Sequence, residues 1–308
     1  MRHTWDDKSY DALWIAADNH PLAGTMNTDK QTLSDNYATG RVALSYALSD
    51  RTTVYSVYAR GYKSGGWFDY VGTNVSRGLA EPTYKAAKTD SVELGFKFAD
   101  AQGRLRVSGA AFFSETADDH LVGFDAVNFV ATTENFDTQS VGAELQITWS
   151  PMREFLLSGG LAYTDATITR IPDASSTDAQ DGDAVPASPL WSTTLSMTHE
   201  QTLPSFWGIT NPALLSTVTH RYVGERTADV GEHFDLPAYH KLDARIGIST
   251  HSTDVYLWGD NLLDEIYDVG SGFYVPAIPA DFGGTGQDAK MSTPARGRAL
   301  GIGVKHHF

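Results

Sequence analysis

The feature that most constrains this chain is an alternation of apolar and polar side chains with a period of two, repeated along nearly its whole length. Val42, Leu44, Tyr46 and Leu48 alternate with Arg41, Ala43, Ser45 and Ala47. Thr53, Tyr55, Val57 and Ala59 oppose Ser56, Tyr58 and Arg60, and Val92, Leu94, Phe96 and Phe98 oppose Ser91, Glu93, Gly95 and Lys97. Similar runs follow from Leu105 to about Phe124, from Phe129 to Trp149, from Phe155 to Tyr163, from Trp191 to Met197, from Leu242 to Ile248 and from Val255 to Asn261. Such runs are strands, because successive side chains of an extended chain point to opposite faces. The first strand is expected over residues 2–9, with a loop of about two dozen residues behind it. The stretch 214–224 reads as a strand whose facing stays open, since both faces mix apolar and polar groups. The total is about twelve strands, with no helical pattern.

The connections narrow the choice of fold. Turns at 49–51, 100–103, 150–153, 203–212 and 250–253 are mostly short, whereas 10–34, 64–83, 167–187, 225–237 and 263–295 are long, with 125–126 a brief exception. An up-and-down antiparallel order puts the short turns at one end and the long loops at the other. Transmembrane β-barrels have that asymmetry; a Greek-key sandwich scatters long connections between both ends. Glu93 and Lys97, Arg104 and Arg106, Glu144 and Gln146, and Lys241, Asp243 and Arg245 fall on the faces that carry small polar residues. A charge facing lipid at mid-bilayer costs roughly 2–4 kcal/mol, so these faces should line the interior. The last stretch fits: Leu300, Ile302, Val304 and Phe308 share a face, and a terminal aromatic suits a closing strand in the interfacial girdle.

Composition removes other classes. No run approaches the roughly 20 apolar residues of a membrane helix, and the mean hydropathy is −0.28. The net charge of −15 argues against a nucleic-acid partner. With no cysteine there is neither a disulfide framework nor a thiolate metal site. No cofactor is implied, and His306 and His307 point to opposite faces and do not make a metal site. The acidic stretch 171–188 reads as a solvated loop. The opening Met1-Arg2-His3-Thr4-Trp5-Asp6 has no apolar core of a secretory signal.

Four stretches in order resemble the C-terminal half of the barrel of TonB-dependent outer-membrane receptors. Arg60-Gly61-Tyr62-Lys63-Ser64-Gly65-Gly66 resembles the family's Arg-Gly-(Phe/Tyr)-Lys-Ser-Gly-Gly strand end. Asn135 followed by Gly142-Ala143-Glu144-Leu145 resembles its Asn…Gly-(Val/Ala)-Glu-Leu element, and Asn261-Leu262-Leu263-Asp264-Glu265-Ile266-Tyr267 its Asn-Leu-Phe-Asp-x-x-Tyr segment. Pro294-Ala295-Arg296-Gly297-Arg298 through Phe308 is similar to the closing strand, with His306 where the family has Tyr or an apolar residue. The resemblance implies an all-β, antiparallel up-and-down transmembrane barrel of about 22 strands filled by a plug, of which residues 1–308 supply about the last twelve strands. Signal peptide, plug, TonB-contacting segment and first barrel half are then expected to be missing from this stretch, and its sheet to stay open.

The resemblance also implies uptake of a ferric siderophore or similar small ligand (haem, cobalamin and some glycans being variants) across the Gram-negative outer membrane. The energy comes through the TonB complex, and no enzymatic step is involved. Partners would be the TonB complex, outer-membrane lipid, the ligand and the barrel-assembly machinery, with Gly303 and Phe308 in the assembly signal. Trp67, Phe68 and Tyr70 are candidate stacking groups for the ligand, and Arg226, His233 and Tyr274 candidate polar ones. This stretch alone is expected not to transport. Two other readings of the residues stay open: a complete small barrel acting as a passive pore or membrane enzyme, and a soluble glycan-binding β-sandwich.

Overall fold

The computed structural model describes all residues except 16–24, 69–74, 76–79, 81, 126–129, 174, 271, 276, 278–286 and 307–308, so Tyr70 and Phe308 lie outside the described residues. Twelve strands form one antiparallel sheet in chain order: β1 (Arg2–Ile15), β2 (Met26–Ser49), β3 (Thr52–Lys63), β4 (Ala87–Ala99), β5 (Leu105–Asp125), β6 (Val130–Trp149), β7 (Phe155–Arg170), β8 (Trp191–Thr202), β9 (Ala213–Val223), β10 (Tyr239–Ser249), β11 (Thr253–Asp260) and β12 (Ala299–His306). Each pairs with the next. Among the described residues β1 and β12 do not pair, so the sheet remains open, as expected, and is not a closed twelve-stranded cylinder.

Register assigns the faces. Leu44 is level with Ser56, and Ser56 with Leu94, so their side chains share one face. That face carries Val42, Leu44, Leu94, Leu195, Met197, Ile246, Leu257, Ile302 and Val304, all exposed. A contiguous apolar surface of this extent is not stable against water; it is the lipid face of a barrel wall. Glu93, Lys97, Arg106, Glu144, Asp243 and Arg245 alternate with these residues and therefore occupy the concave face. The facing of β9 follows as well. Leu195 is level with His220 and Met197 with Val218, which turns Leu214, Val218, His220 and Tyr222 outward. Outward aromatics mark two belts, Tyr46, Trp149 and Phe155 toward the short turns and Tyr58, Tyr163, Trp191 and Tyr222 toward the long loops. From Phe155 to Tyr163 a strand rises about 27 Å. At the usual tilt that matches an apolar band roughly 25 Å tall.

One expectation is corrected. The first strand does not stop near residue 9, and most of the loop expected over 10–34 is strand: β1 reaches Ile15 and β2 starts at Met26. Among the described residues the upper half of β2, from Met26 to Thr39, pairs only with β1, and the lower half, from Gly40, only with β3. The β1–β2 hairpin therefore stands above the lipid band. With water on the outer side, Thr28, Lys30, Thr32, Ser34 and Asn36 can occupy outward positions, so no apolar alternation betrays the strand. Below Gly40, β2 pairs on one side only. Its residues 41–49 are exposed on both faces.

Glycines on the concave face admit aromatic rings. A Cβ on Gly303 would collide with the ring of Tyr256, and one on Gly301 would lie 2.6 Å from Trp258. Gly303, expected to serve an assembly signal, thus has a packing role between β11 and β12.

The fully buried apolar side chains collect above the band. Phe136 and Ile168 are 0% exposed, Leu236 1% and Val230 3%. The molecule has a thin wall with little core of its own and a compact cap over its upper concave face.

Candidate ligand-binding recess

The cap forms where three connections fold back over the strands. Residues 171–188 return to β7 through amide bonds from Ile168 to the Asp183 carbonyl (2.8 Å) and from Val185 to the Ala166 carbonyl (2.9 Å). Ala187 then donates to the Thr227 carbonyl (2.9 Å), tying this loop to residues 224–238. That second loop closes on itself as a short ribbon, Arg226–Thr227 against Asp235–Leu236. Gly272 of the third connection donates to the Ala228 carbonyl (2.7 Å), and Phe273–Val275 pairs with Ala289–Met291. These bonds satisfy backbone groups that burial would otherwise leave unpaired.

Where the three meet, the imidazole of His233 stacks on the ring of Tyr274, with centroids 3.8 Å apart and planes 8° from parallel. Carboxylates hold both rings. His233 Nδ1 lies 2.5 Å from Asp229 Oδ2, its amide donates to Asp229 Oδ1 (3.1 Å), and its Nε2 faces Asp178 Oδ2 at 3.3 Å. The Tyr274 hydroxyl donates to Asp288. That bond, with the fields of Asp288, Asp178 and Asp229, pushes the phenol above its ordinary value. Asp288 in turn is held below the usual carboxylate range by the amide of Ala277 and by Tyr274. Beside the stack lies a hollow of about 60 Å³ lined by Val122, Ser176, Thr177, Asp178 and Asp229 among others. It has room for a few waters, not for a chelate, and the Asp178 side chain on its lining stands 84% exposed.

The structure thus brings together two of the six residues expected at the ligand, His233 and Tyr274. Arg226 is 7% exposed and folded beneath the cap, its Nη2 donating to the Asp268 carbonyl (2.6 Å) and its guanidinium lying 5.7 Å from the Tyr239 ring. Among the described residues its Nη1 is buried without a partner, and it does not line the hollow. Trp67 sits elsewhere: it stacks on Tyr10 at 5.5 Å and its indole donates to Gln31 Oε1 (3.0 Å), joining the β1–β2 hairpin. The amide of Phe68 donates to the Pro82 carbonyl (3.3 Å). Tyr70 lies outside the described residues. Asp178, Asp229 and Asp288 were not singled out by the sequence. Loop aspartates are the default of any solvated segment, and nothing local shows that residues 55 apart share a hydrogen bond.

The four motifs have structural explanations. At the Ser64-Gly65-Gly66 break, a Cβ on Gly65 would lie 2.6 Å from the Tyr84 carbonyl, so only glycine lets the chain pass there. Lys8 reaches across to Ser64 Oγ (2.5 Å) and the Gly65 carbonyl (2.7 Å). Asn135 accepts from the Lys85 amide (2.8 Å) and donates to the Asp118 carbonyl (2.8 Å), pinning a bulge where Asp118 has φ 55°. Asn261 is 0% exposed with φ 50°. Its side chain bonds the amide (3.1 Å) and carbonyl (2.9 Å) of Glu265, and its own amide donates to Asp243 Oδ1 (2.9 Å). It starts the third connection. In the closing stretch, Arg298 donates its amide to Asp264 Oδ1 (2.9 Å), bringing β12 back to that turn.

Comparison with known proteins agrees with this architecture. Residues 2–262 match the family model described as TonB dependent receptor-like, beta-barrel. A pesticin receptor from Yersinia pestis is 24% identical over 249 residues, which is 80% of this chain and 34% of the relative. The crystal structure of the ferric yersiniabactin uptake receptor FyuA from Yersinia pestis superposes with a TM-score of 0.75 at 20% identity, covering 99% of this chain and 42% of that one. The ferric-catecholate import receptor Fiu from K12 E. coli gives 0.65 at 18% identity, covering 98% and 41%. The chain therefore spans about a third of the length of the curated relatives it matches.

Proposed function

The chain belongs to the TonB-dependent receptor β-barrel family, and from that premise we propose that its strands form the C-terminal part of an outer-membrane receptor for a ferric siderophore or similar small ligand. The observation that carries this reading is the open twelve-stranded sheet, which overlays 42% of a ferric yersiniabactin uptake receptor. Residues 1–308 belong throughout to the barrel. The strands that close it to about 22, the plug and the TonB contact come from outside these residues. The free edges, the lower half of β2 on one side and β12 on the other, would find no water in the bilayer to bond. They support a role as seams for further strands.

The outward face meets outer-membrane lipid, and the closing strand with Gly303 and Phe308 is what the barrel-assembly machinery would read. The ligand meets the cap beside the His233–Tyr274 stack. Trp67, at the β1–β2 hairpin, would meet the ligand apart from that stack, with Phe68 and Tyr70 following it in the sequence as further candidates, and Arg226 anchors the cap. The function is binding and uptake, with no bond broken in the ligand and hence no enzymatic role.

These residues alone do not transport. Cells lacking their own siderophore receptors and expressing only 1–308 should show no TonB-dependent accumulation of a radiolabelled ferric siderophore. Accumulation above the background of a TonB-deficient strain would refute that.

A further inference from the structure

We infer that the hairpin joining β8 to β9 carries a glycan-binding tip at the short-turn end of the sheet, built on Trp207 and taking strands of N-acetylated amino sugars in the periplasm. Of the five short turns this one alone holds Phe or Trp, and its residues 203–212 include no charged group. The ladder of β8 and β9 runs on into it in the same register. Thr202 is level with Ala213, the Leu203 amide donates to the Pro212 carbonyl (2.7 Å), and Phe206 bridges to Ile209.

Trp207 and Gly208 form the turn itself, at φ 47° and 78°. Positive φ at both positions makes this the tight hairpin turn that Asn-Gly ordinarily fills. A bulky side chain is disfavoured at the first of them, because its β-carbon crowds the backbone. The fold gains no packing in return. Trp207 is 96% exposed, and its one ring contact among the described residues is with Phe206, nearly perpendicular at 5.9 Å. A strained and unpacked aromatic side chain at an apex points to a role outside the fold.

Reach, area and chemistry select the occupant. His199 is level with Phe155 of the lower aromatic belt, and Phe206 lies seven residues farther along the chain. That is about 23 Å of extended chain, or roughly 17 Å along the membrane normal at the usual tilt. A headgroup layer is only about 5–8 Å thick, so the tip passes beyond lipid. The adjacent turn, by contrast, closes directly between the belt residues Trp149 and Phe155. Two rings offer about 150–250 Å² each, well short of the roughly 800 Å² per partner of a stable protein interface. That argues against a folded protein or a second copy. The apolar C–H face of a pyranose ring, however, lies flat on an open indole, and its hydroxyl and acetamido groups need uncharged donors and acceptors at the edge. Ser205, Thr210 and Asn211, all exposed, flank the tip, and the Asn211 amide donates to Ser205 Oγ (3.2 Å). A polymer that repeats one unit also compensates for a small site, since many copies of the tip can engage one strand.

The assignment rests on the barrel orientation that puts short turns in the periplasm, and its loss would leave the receptor reading intact. The test is co-sedimentation of the chain, folded in lipid nanodiscs, with purified peptidoglycan sacculi. Trp207→Asn installs Asn-Gly, so the turn should form at least as well, while the apparent affinity should fall about fivefold. Trp207→Tyr keeps a ring and should stay within about twofold of the parent. A β-linked N-acetylglucosamine hexamer should release the bound chain, and the isolated stem peptide should not. No sedimentation of the parent chain, an unchanged affinity of Trp207→Asn, or release by the stem peptide would each overturn the proposal. Quenching of Trp207 emission by brominated lipid, taken as the difference between the parent and Trp207→Asn, would place the tip in the membrane and overturn it equally.

Discussion

The barrel wall and the cap are built from the same strands but stabilised in opposite ways. Below the level of Gly40 and Tyr58 the sheet is one layer thick. Leu44, Leu94, Leu257 and Ile302 face outward, charged and small residues face inward, and there is almost no buried side chain. Above that level the sheet becomes the support for a small water-soluble core around Phe136, Ile168 and Leu236, closed by hydrogen bonds between segments far apart in sequence. The wall depends on its solvent, since without lipid its apolar face has no partner. The cap carries its own partners. Damage to the wall should therefore be felt through lipid-facing chemistry, and damage to the cap through local bonds.

The largest effect is expected in the wall. Leu257→Arg puts a charge on the lipid face of β11 and should destabilise the bilayer-inserted sheet by roughly 2–4 kcal/mol, read from urea unfolding in vesicles. Lys290→Glu, a charge change in the cap, should leave that transition in place. If both substitutions unfold the sheet alike, wall and cap are not separate.

A smaller effect is expected from Asn261→Leu. It leaves the half-buried amide and carbonyl of Glu265 without the Asn261 side chain and forces a branched residue to φ 50°. The cost should be about 1–3 kcal/mol, felt mainly as faster amide exchange in the third connection and little in β4 to β7.

The alternation that betrays the wall fails in the cap for a physical reason. Val92, Leu94 and Phe96 show their strand because lipid requires apolar residues on one face and the interior tolerates polar ones on the other. In the upper half of β2 the outer side meets water, so Thr28 and Lys30 carry no signal and the strand reads as loop. His233 and Tyr274 stand out as polar aromatic groups in long loops. That they stack on each other depends on how the loops at 225–237 and 263–295 fold together, which no periodicity encodes. Asn135 and Asn261 were visible as motif residues, yet their roles, closing a bulge and starting a connection, are apparent only from the bonds they make. Trp67 has the composition of a ligand platform, but Tyr10 and Gln31 engage it.

A weaker perturbation comes from pH. The folded pKa of Asp288 lies below its unfolded value of about 3.9. Its contribution is present above that value and is lost as pH falls through the folded pKa. Acidification through the folded pKa of Asp288, below the ordinary carboxylate range, should release the Tyr274–Asp288 contact and loosen the pairing of Phe273–Val275 with Ala289–Met291, with little change in the sheet, checked by tyrosine side-chain NMR. A Tyr274 environment that stays unchanged once Asp288 is protonated would contradict the contact.

The smallest effect is expected where the two regions meet. Arg170 grips Asp137 through two bonds (2.6 and 2.7 Å) at the outer rim but is 48% exposed. Arg170→Gln should cost at most about 1 kcal/mol, and less in high salt.

The central claim, that this sheet is an open arc of a wider barrel, is tested most directly by one distance. Nitroxides at Leu48, near the short-turn end of β2, and at Val304 of β12 can be measured by pulsed electron paramagnetic resonance in lipid nanodiscs. An arc of a wide barrel places them across its span, well beyond about 20 Å. A sheet closed on itself would bring β2 and β12 within one or two strand spacings, about 5–10 Å between backbones, and a short distance would contradict the account.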